Sequence, residues 1–259
     1  MQIEVIIAVA AVFASLLTFI SGFGLGTLLL PVFSLFFDIE VAIAATAIVH
    51  LINNIFKSFL TFKQINWEVV LKFGLPSIGG AIIGSILLNY IVLKSTNSIY
   101  FQLGPNSFET SLLKLSIGGL ILLFTLFELF NIKSKALNHK NSIYVGGGLS
   151  GFFGGISGHQ GALRTLFLSK FKLDKHSFIA SGICIALAVD LSRIPIYINE
   201  GYFDLDEYLT KALVIAIFSA FLGAIAGKIL INKIKVIALY NIISYFLMLF
   251  AVLLMIGLI

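Results

Sequence analysis

The stretch Gly146–Leu168 reads GGGLSGFFGGISGHQGALRTLFL and decides the fold. It is apolar enough to lie in a bilayer, yet glycines interrupt it and it contains His159, Gln160 and Arg164. A charged side chain at membrane depth is costly, so such residues are rare and usually functional. A weaker copy, SGFGLGTLLLPVFSLFF, occupies Ser21–Phe37. Two glycine-interrupted apolar segments at corresponding places in two halves of a chain are typical of a transporter site.

The composition excludes a soluble globular protein. The chain has 59% hydrophobic and 11% charged residues and a mean hydropathy of +1.07, whereas soluble chains have roughly 25% charged residues. The apolar runs are long and continuous, without the alternation of a transmembrane β-barrel. The lysines behind the net charge of +5 stand in short clusters between these runs, as orientation signals do, and do not indicate nucleic acid. We therefore predict an all-α polytopic membrane protein.

The chain divides into two homologous repeats, residues 1–132 and 142–259, joined by a basic cytoplasmic linker, 133–141. At about 1.5 Å per residue, the first apolar run, Ile3–Phe37, would form a helix of about 50 Å, against a hydrocarbon core of about 30 Å. We expect it to break at Ser21–Gly26 into two half-helices of a re-entrant hairpin, with a steeply tilted or kinked span as the alternative. The second broken segment covers 143–168. Three spans follow each broken segment: 41–62, 69–93 and 112–130, then 178–198, 208–231 and 236–258.

The repeats also predict a topology. A shift of about 135 residues lays Gly26–Leu28 on Gly161–Leu163, as an internal repeat requires. If the broken segments are re-entrant, each half crosses three times and the halves are inverted. Most basic loops, including Lys133–Lys140, then lie in the cytoplasm and both termini lie outside. If the broken segments cross fully, the repeats are parallel instead.

The tips of the two broken segments are the first candidate site. A half-helix that starts inside the membrane presents unsatisfied N–H groups and the positive end of its dipole, which suit a small anion. Arg164 lies near such a start, where its positive charge is close to the positive end of the helix dipole. This placement is unfavourable, so we expect an anion nearby. Alternatively, the glycines only pack helices, and His159 and Gln160 only cap a turn. The candidate substrate-binding residues here are Gly24, Gly26, Thr27, Ser157, His159, Gln160, Gly161 and Arg164.

Two further groups of polar residues fall within predicted spans. The 41–62 span has a polar stripe that either lines a substrate path or holds helices together, with Lys57 snorkelling to the membrane edge. Asp190 and Arg193, one turn apart, form either a structural ion pair or a group that couples transport to protons or sodium. The members of the stripe are Thr46, His50, Asn53, Asn54, Lys57 and Thr61.

These motifs together resemble the TauE/SafE sulfite-exporter family of bacterial membrane permeases. The matching stretches are SGFGLGTLLLP (21–31), VAIAAT (41–46), INW (65–67) and GLSGFFGGISGHQGALRTL (148–166). The resemblance implies a secondary transporter in the bacterial cytoplasmic membrane, without cofactor or enzymatic activity. Its substrates would be small sulfur-containing or organic anions such as sulfite, sulfonates or thiosulfate. The resemblance leaves the direction of transport, the coupling ion and a homo-oligomer open.

Two rival functions are weaker. Gly155–Gly158 matches the GxSG of rhomboid intramembrane proteases, but the required histidine base in a later span is missing, since only His159 and His176 follow Ser157. A channel or metal permease would use His50 and His159, and two histidines without a nearby carboxylate cluster make a poor metal site.

Overall fold

The computed structural model describes residues 2–21, 24–103, 105–129, 141–203, 206–231 and 236–259. The predicted linker, up to residue 140, and Gly22, Phe23 and Gly104 lie outside these ranges. Within them the chain forms ten α-helices, a short 3-10 turn at Phe62–Gln64 and one β-hairpin. The helices are α1 (Gln2–Ser21), α2 (Leu25–Phe33), α3 (Ile39–Thr61), α4 (Trp67–Lys94), α5 (Leu112–Leu129), α6 (Ser142–Ser157), α7 (Gly161–Leu168), α8 (Lys175–Asn199), α9 (Glu207–Leu230) and α10 (Val236–Met255).

The predicted class, a polytopic helical membrane protein, is confirmed. Five helices are long and apolar enough to cross a bilayer, namely α1, α3, α4, α8 and α9. Helices α5 and α10 are apolar as well.

Both glycine-rich segments interrupt a helix. The first run ends at Ser21 and resumes at Leu25, after Gly24 in extended conformation. The second ends at Ser157, and Gly158 follows with a φ of 79°, a left-handed conformation that glycine adopts without strain. The two arms of each break differ in length. Helix α1 has 20 residues, enough for about 30 Å, whereas α2 has 9.

The segment between the predicted spans 69–93 and 112–130, which joins α4 to α5, has secondary structure of its own. Strands β1 (Ser98–Leu103) and β2 (Asn106–Ser111) pair there as an antiparallel hairpin. Phe101 stacks on Phe108 across the two strands, with ring centroids 5.6 Å apart. Aromatic cross-strand pairs of this kind stabilise hairpins, and they outweigh the polar character of the segment.

Two pairs of helices pack in parallel through glycines. A Cβ added to Gly147, Gly151 or Gly155 of α6 would lie about 2 Å from a carbonyl oxygen of α4, those of Phe73, Ser77 and Ala81 respectively. In the second pair, Gly223 and Gly227 of α9 lie against Val12 and Phe19 of α1. Such close backbone approach is how small residues associate helices in a membrane.

Two other pairs are antiparallel. His50 of α3 contacts Asp190 of α8. Asn66, which follows α3 and comes just before α4, contacts Ser181, an earlier residue of α8, so the two chain segments run in opposite directions. Similarly, Gly118 of α5 lies against Met255 of α10, whereas Gly257 lies against Glu109, before α5. Helices α3 and α8 thus cross the centre of the bundle in opposite directions, with their polar residues facing each other.

The two ends of the bundle differ in charge. Lys175 Nζ bonds the Ile231 carbonyl, so the start of α8, with Lys170 and Lys172 before it, lies at the same end as the end of α9. Asp38 and Asp206 line one open cavity of about 540 Å³, so the starts of α3 and α9 share the opposite end. The first end is basic and the second acidic.

Candidate functional site

Five ionisable side chains lie almost completely buried where α3, α7 and α8 meet. Their exposed fractions are 5% or less. Burial of so many such groups is costly at membrane depth, so we take this cluster as the candidate functional site. The five are His50, Lys57, Arg164, Asp190 and Arg193.

A cavity of about 20 Å³ lies among these groups, between the end of α1, α3, α7 and the first half of α8. It has room for about one water molecule. Its apolar lining includes Phe19 and Phe178. No carboxylate lines it in the described part of the chain. The polar lining residues are Thr18, His50, Asn54, Lys57 and Arg164.

The Lys57 ammonium is held from the side of α1. Nζ donates to the Ser15 carbonyl and to Thr18 Oγ1, both at 3.3 Å, and lies 5.6 Å from the centre of the Phe19 ring. With its amide turned to satisfy its neighbours, Asn53 accepts from Lys57 Nζ at 3.1 Å and donates to the Ala220 carbonyl at 3.2 Å. Lys57 therefore does not reach the membrane edge, and Asn53 faces α1 and α9 rather than the cavity.

Arg164 enters the cavity from α7, whose first residue is Gly161. Its guanidinium lies against Gly182 of α8, where an added Cβ would come within 3.3 Å of Arg164 Nε. Gly182 thus makes room for the guanidinium. Sequence reasoning missed both Gly182 and Thr18. The one available signal for Gly182 was its place two turns before Asp190 on the same helix.

Asp190 is held through both carboxylate oxygens. Oδ1 accepts from Arg193 Nε at 3.0 Å and from Arg193 Nη2 at 2.8 Å, while Oδ2 lies 2.6 Å from His50 Nδ1. Arg193 Nη1 donates to the Gly154 carbonyl at 3.0 Å, and Tyr197 donates to the Gly155 carbonyl at 2.5 Å. This network joins α3, α6 and α8 and reaches the break at Gly158. Sequence reasoning paired Asp190 with Arg193 but missed His50 as the third member.

The tips of the two broken segments approach each other beside His50. A Cβ on Gly24 would lie 3.4 Å from His50 Nε2 and 3.8 Å from the Gly158 carbonyl oxygen, and one on Gly26 would lie 4.0 Å from that oxygen. Thr27 is buried next to Gly24. The second tip therefore presents a hydrogen-bond acceptor, the Gly158 carbonyl oxygen, to Gly24.

The remaining predicted residues of the second tip hold the break together rather than line the cavity. Ser157 Oγ donates to the Phe153 carbonyl at 3.3 Å, and His159 Nδ1 lies 3.1 Å from the Ser157 carbonyl. The Gln160 side chain packs against Gly154 and Val189, and its carbonyl accepts from Ser150 Oγ. In the α3 stripe, Thr46 and Thr61 bond to carbonyls of their own helix.

The geometry agrees with a comparison against protein families. A family model described as sulfite exporter TauE/SafE matches residues 7–254. The chain belongs to the TauE/SafE family. The resemblance seen in the sequence motifs is thereby confirmed, and the protein is a multi-pass membrane permease or exporter. Comparisons with curated proteins and with solved structures give no match.

The TauE/SafE match includes both broken segments and every residue that lines the cavity. Membership in an exporter family favours transport over the rhomboid-like alternative, and the Ser157 hydroxyl bonds a carbonyl of its own helix. Over the described ranges, no group of three or more histidine, cysteine or acidic side chains is arranged to hold a metal ion.

Proposed function

We propose that the protein is a secondary transporter that moves a small anion, a sulfur oxyanion or organosulfonate such as sulfite, across the bacterial cytoplasmic membrane by alternating access. One observation supports this most strongly. Lys57 and Arg164 line the same small cavity, and in the described part of the chain no carboxylate lines it. The buried acid next to the cavity, Asp190, is already held by Arg193 and His50. A site with two cations in a medium of low dielectric constant favours an anion.

The donors at the cavity suit an oxyanion in particular. A guanidinium offers two parallel N–H groups to two oxygens, and an ammonium adds a compact charge. The Asn54 amide and the Thr18 hydroxyl are further donors of the kind that oxygens accept. The cavity holds about one water molecule, so an oxyanion would enter only as lining side chains move apart. Phe19 and Phe178 are the large side chains of the lining that would move apart to admit the anion.

We also propose that the two repeats are inverted. A symmetry operation that superposes the first repeat on the second places α3 on α8 and α5 on α10. The helices of each of these two pairs are antiparallel to each other. The same operation maps the α1–α9 pair onto the α6–α4 pair, and both of these are parallel. A two-fold axis along the membrane normal would preserve helix direction, so the antiparallel pairs favour an axis in the membrane plane.

The contacts of α1 favour a re-entrant first segment. Helix α1 runs parallel to α9 along Gly223 and Gly227, and α9 starts at the same end of the bundle as α3, so α1 and α3 run in the same direction. Helix α2 lies between them in the chain and therefore runs back. Its nine residues reach about 13 Å, too short for a crossing.

The basic end of the bundle should face the cytoplasm. In a Cys184→Ala background, a cysteine at exposed Lys172 should react with an impermeant thiol reagent only after permeabilisation, because it lies at the basic end. A cysteine at exposed Asn199 should react in intact cells. Labelling of both positions from the same side would contradict the inverted arrangement.

Exchange in proteoliposomes tests the function itself. Vesicles that contain the purified protein and unlabelled sulfite should accumulate labelled sulfite, thiosulfate or methanesulfonate, and protein-free vesicles should not. Lys57→Gln should slow this exchange at least tenfold, since it removes one of the two charges at the cavity. Lys63→Gln, an exposed lysine just beyond the end of the same helix, is the matched control and should exchange like wild type. Exchange of metal cations but of none of these anions would refute the proposal.

A further inference from the structure

His50 stands between the buried carboxylate and the cavity. Its Nδ1 lies 2.6 Å from Asp190 Oδ2, and its ring lines the cavity with Lys57 and Arg164. Its Nε2 is on the side of Gly24, at the tip of the first broken segment. A single imidazole therefore touches the ion-pair network, the substrate cavity and the helix break.

The hydrogen bond to Asp190 decides which nitrogen of His50 holds the proton. Asp190 Oδ1 accepts from two N–H groups of the Arg193 guanidinium, so we take the carboxyl group as an ionised acceptor. A carboxylate accepts but does not donate, so Nδ1 is the N–H donor. In the neutral imidazole, Nε2 is then the unprotonated nitrogen. Its lone pair, which lies 3.2 Å from Asn54 Nδ2, is the place where another proton can add.

We propose that His50 binds a proton together with the anion, so that the two occupy the cavity as a unit. This inference rests on the proposed function, because it deepens the role of the same site. The proton adds to Nε2, while Nδ1–H continues to donate to Asp190. The new N–H bond is the one covalent change, and its proton comes from hydronium or buffer acid in the solution from which the anion enters. Asn54 Nδ2 gives up its hydrogen bond to Nε2, and its amide oxygen can turn to accept from the new N–H.

The charges around His50 explain why the two events are coupled. It faces Asp190 and Arg193 on α8, Arg164 on α7 and Lys57 on its own helix, while α2 contributes the Gly24 backbone. Among the residues that the structure describes, these three cations and one carboxylate sum to two positive charges when His50 is neutral. A third positive charge is unfavourable in the empty cavity, whereas an anion there offsets the repulsion and stabilises the imidazolium.

Lys57 is the other buried group at the cavity that could take up a proton, so the experiment must separate the two. Calorimetric titration of purified wild-type protein in two buffers of equal pH and different ionisation enthalpy measures the protons taken up on binding. The probes are thiosulfate and methanesulfonate, because neither titrates near neutral pH. The pH is set about one unit above 6.5, the ordinary pKa of a histidine, so that His50 is mostly neutral before the anion binds.

For wild type we expect a buffer-dependent heat that corresponds to uptake of up to one proton per anion bound. His50→Gln should bind the anion more weakly and with no proton uptake, because the glutamine amide can still donate to Asp190 but cannot be protonated. Lys57→Gln should also bind more weakly, and it should retain the uptake.

Two results would overturn the proposal. Wild-type binding with equal heats in both buffers would show that no proton accompanies the anion. Uptake that survives in His50→Gln and disappears in Lys57→Gln would place the proton on Lys57. If wild type binds neither probe, and binds neither sulfite nor sulfate, the proposed function is wrong. The proposed coupling of proton and anion is then wrong as well.

Discussion

Asp190→Asn is expected to destabilise the folded protein by about 3–5 kcal/mol, because it leaves the Arg193 guanidinium buried without its counter-charge. Asp190 is 0% exposed, and both of its oxygens are engaged by Arg193 and His50. The loss should appear as a lower midpoint of thermal unfolding in detergent and as a lower yield.

Glu207→Gln is the matched control. Glu207 forms an i, i+4 ion pair with Lys211 at 4.0 Å, and both side chains are largely exposed. Such a pair contributes about 0–1 kcal/mol, so the control should unfold like wild type. Asp190→Asn combined with Arg193→Met should regain part of the lost stability, since the unpaired charge is then gone. An Asp190→Asn protein as stable as wild type would contradict the network described above.

Arg164→Ala is expected to weaken oxyanion binding about ten- to hundredfold, which corresponds to the loss of charge-assisted hydrogen bonds of roughly 1.5–3 kcal/mol. Arg164→Lys should recover only part of the affinity, because an ammonium cannot offer two parallel N–H donors. The measurement is equilibrium binding of labelled sulfite or thiosulfate to purified, folded protein.

Lys170→Ala, an exposed lysine just beyond the end of α7, controls for the change in net charge and should bind like wild type. Unchanged affinity in Arg164→Ala for every anion that wild type binds would show that Arg164 is not a substrate ligand. The rival role, neutralising Asp190, is tested with the same proteins. It predicts that Asp190→Asn restores the stability lost in Arg164→Ala, and we expect no such restoration, because Arg193 and His50 already hold the Asp190 oxygens.

The helix breaks and the close helix pairs were predictable from sequence because both depend on local properties of glycine. Gly158 has to adopt a left-handed φ, and Gly147, Gly151 and Gly155 repeat every four residues. A helix with glycine at every fourth position has one face without side chains, and the backbone of any neighbouring helix can approach that face closely. The breaks and the glycine faces that allow close packing thus follow from residues that are neighbours in sequence, whereas the partner of each face does not.

The contacts between helices were not predictable in the same way. His50 and Asp190 are 140 residues apart, and nothing in either segment identifies the other as its partner. The stripe on α3 placed Asn53 and Asn54 together, yet adjacent helical residues point about 100° apart, and only Asn54 reaches the cavity. Helix α1, the longer arm of the first break, packs along α9, a long-range contact that hydropathy does not show.

The central claim is that an oxyanion binds between Lys57 and Arg164, and anomalous diffraction from crystals grown with selenate tests it most directly. Selenate is a tetrahedral oxyanion whose selenium can be located independently of the protein density. The account predicts a selenium peak bounded by Lys57 Nζ, the Arg164 guanidinium and Asn54, with Phe19 or Phe178 displaced to make room. A peak elsewhere in the bundle, with this cavity still closed around a single water molecule, would contradict it.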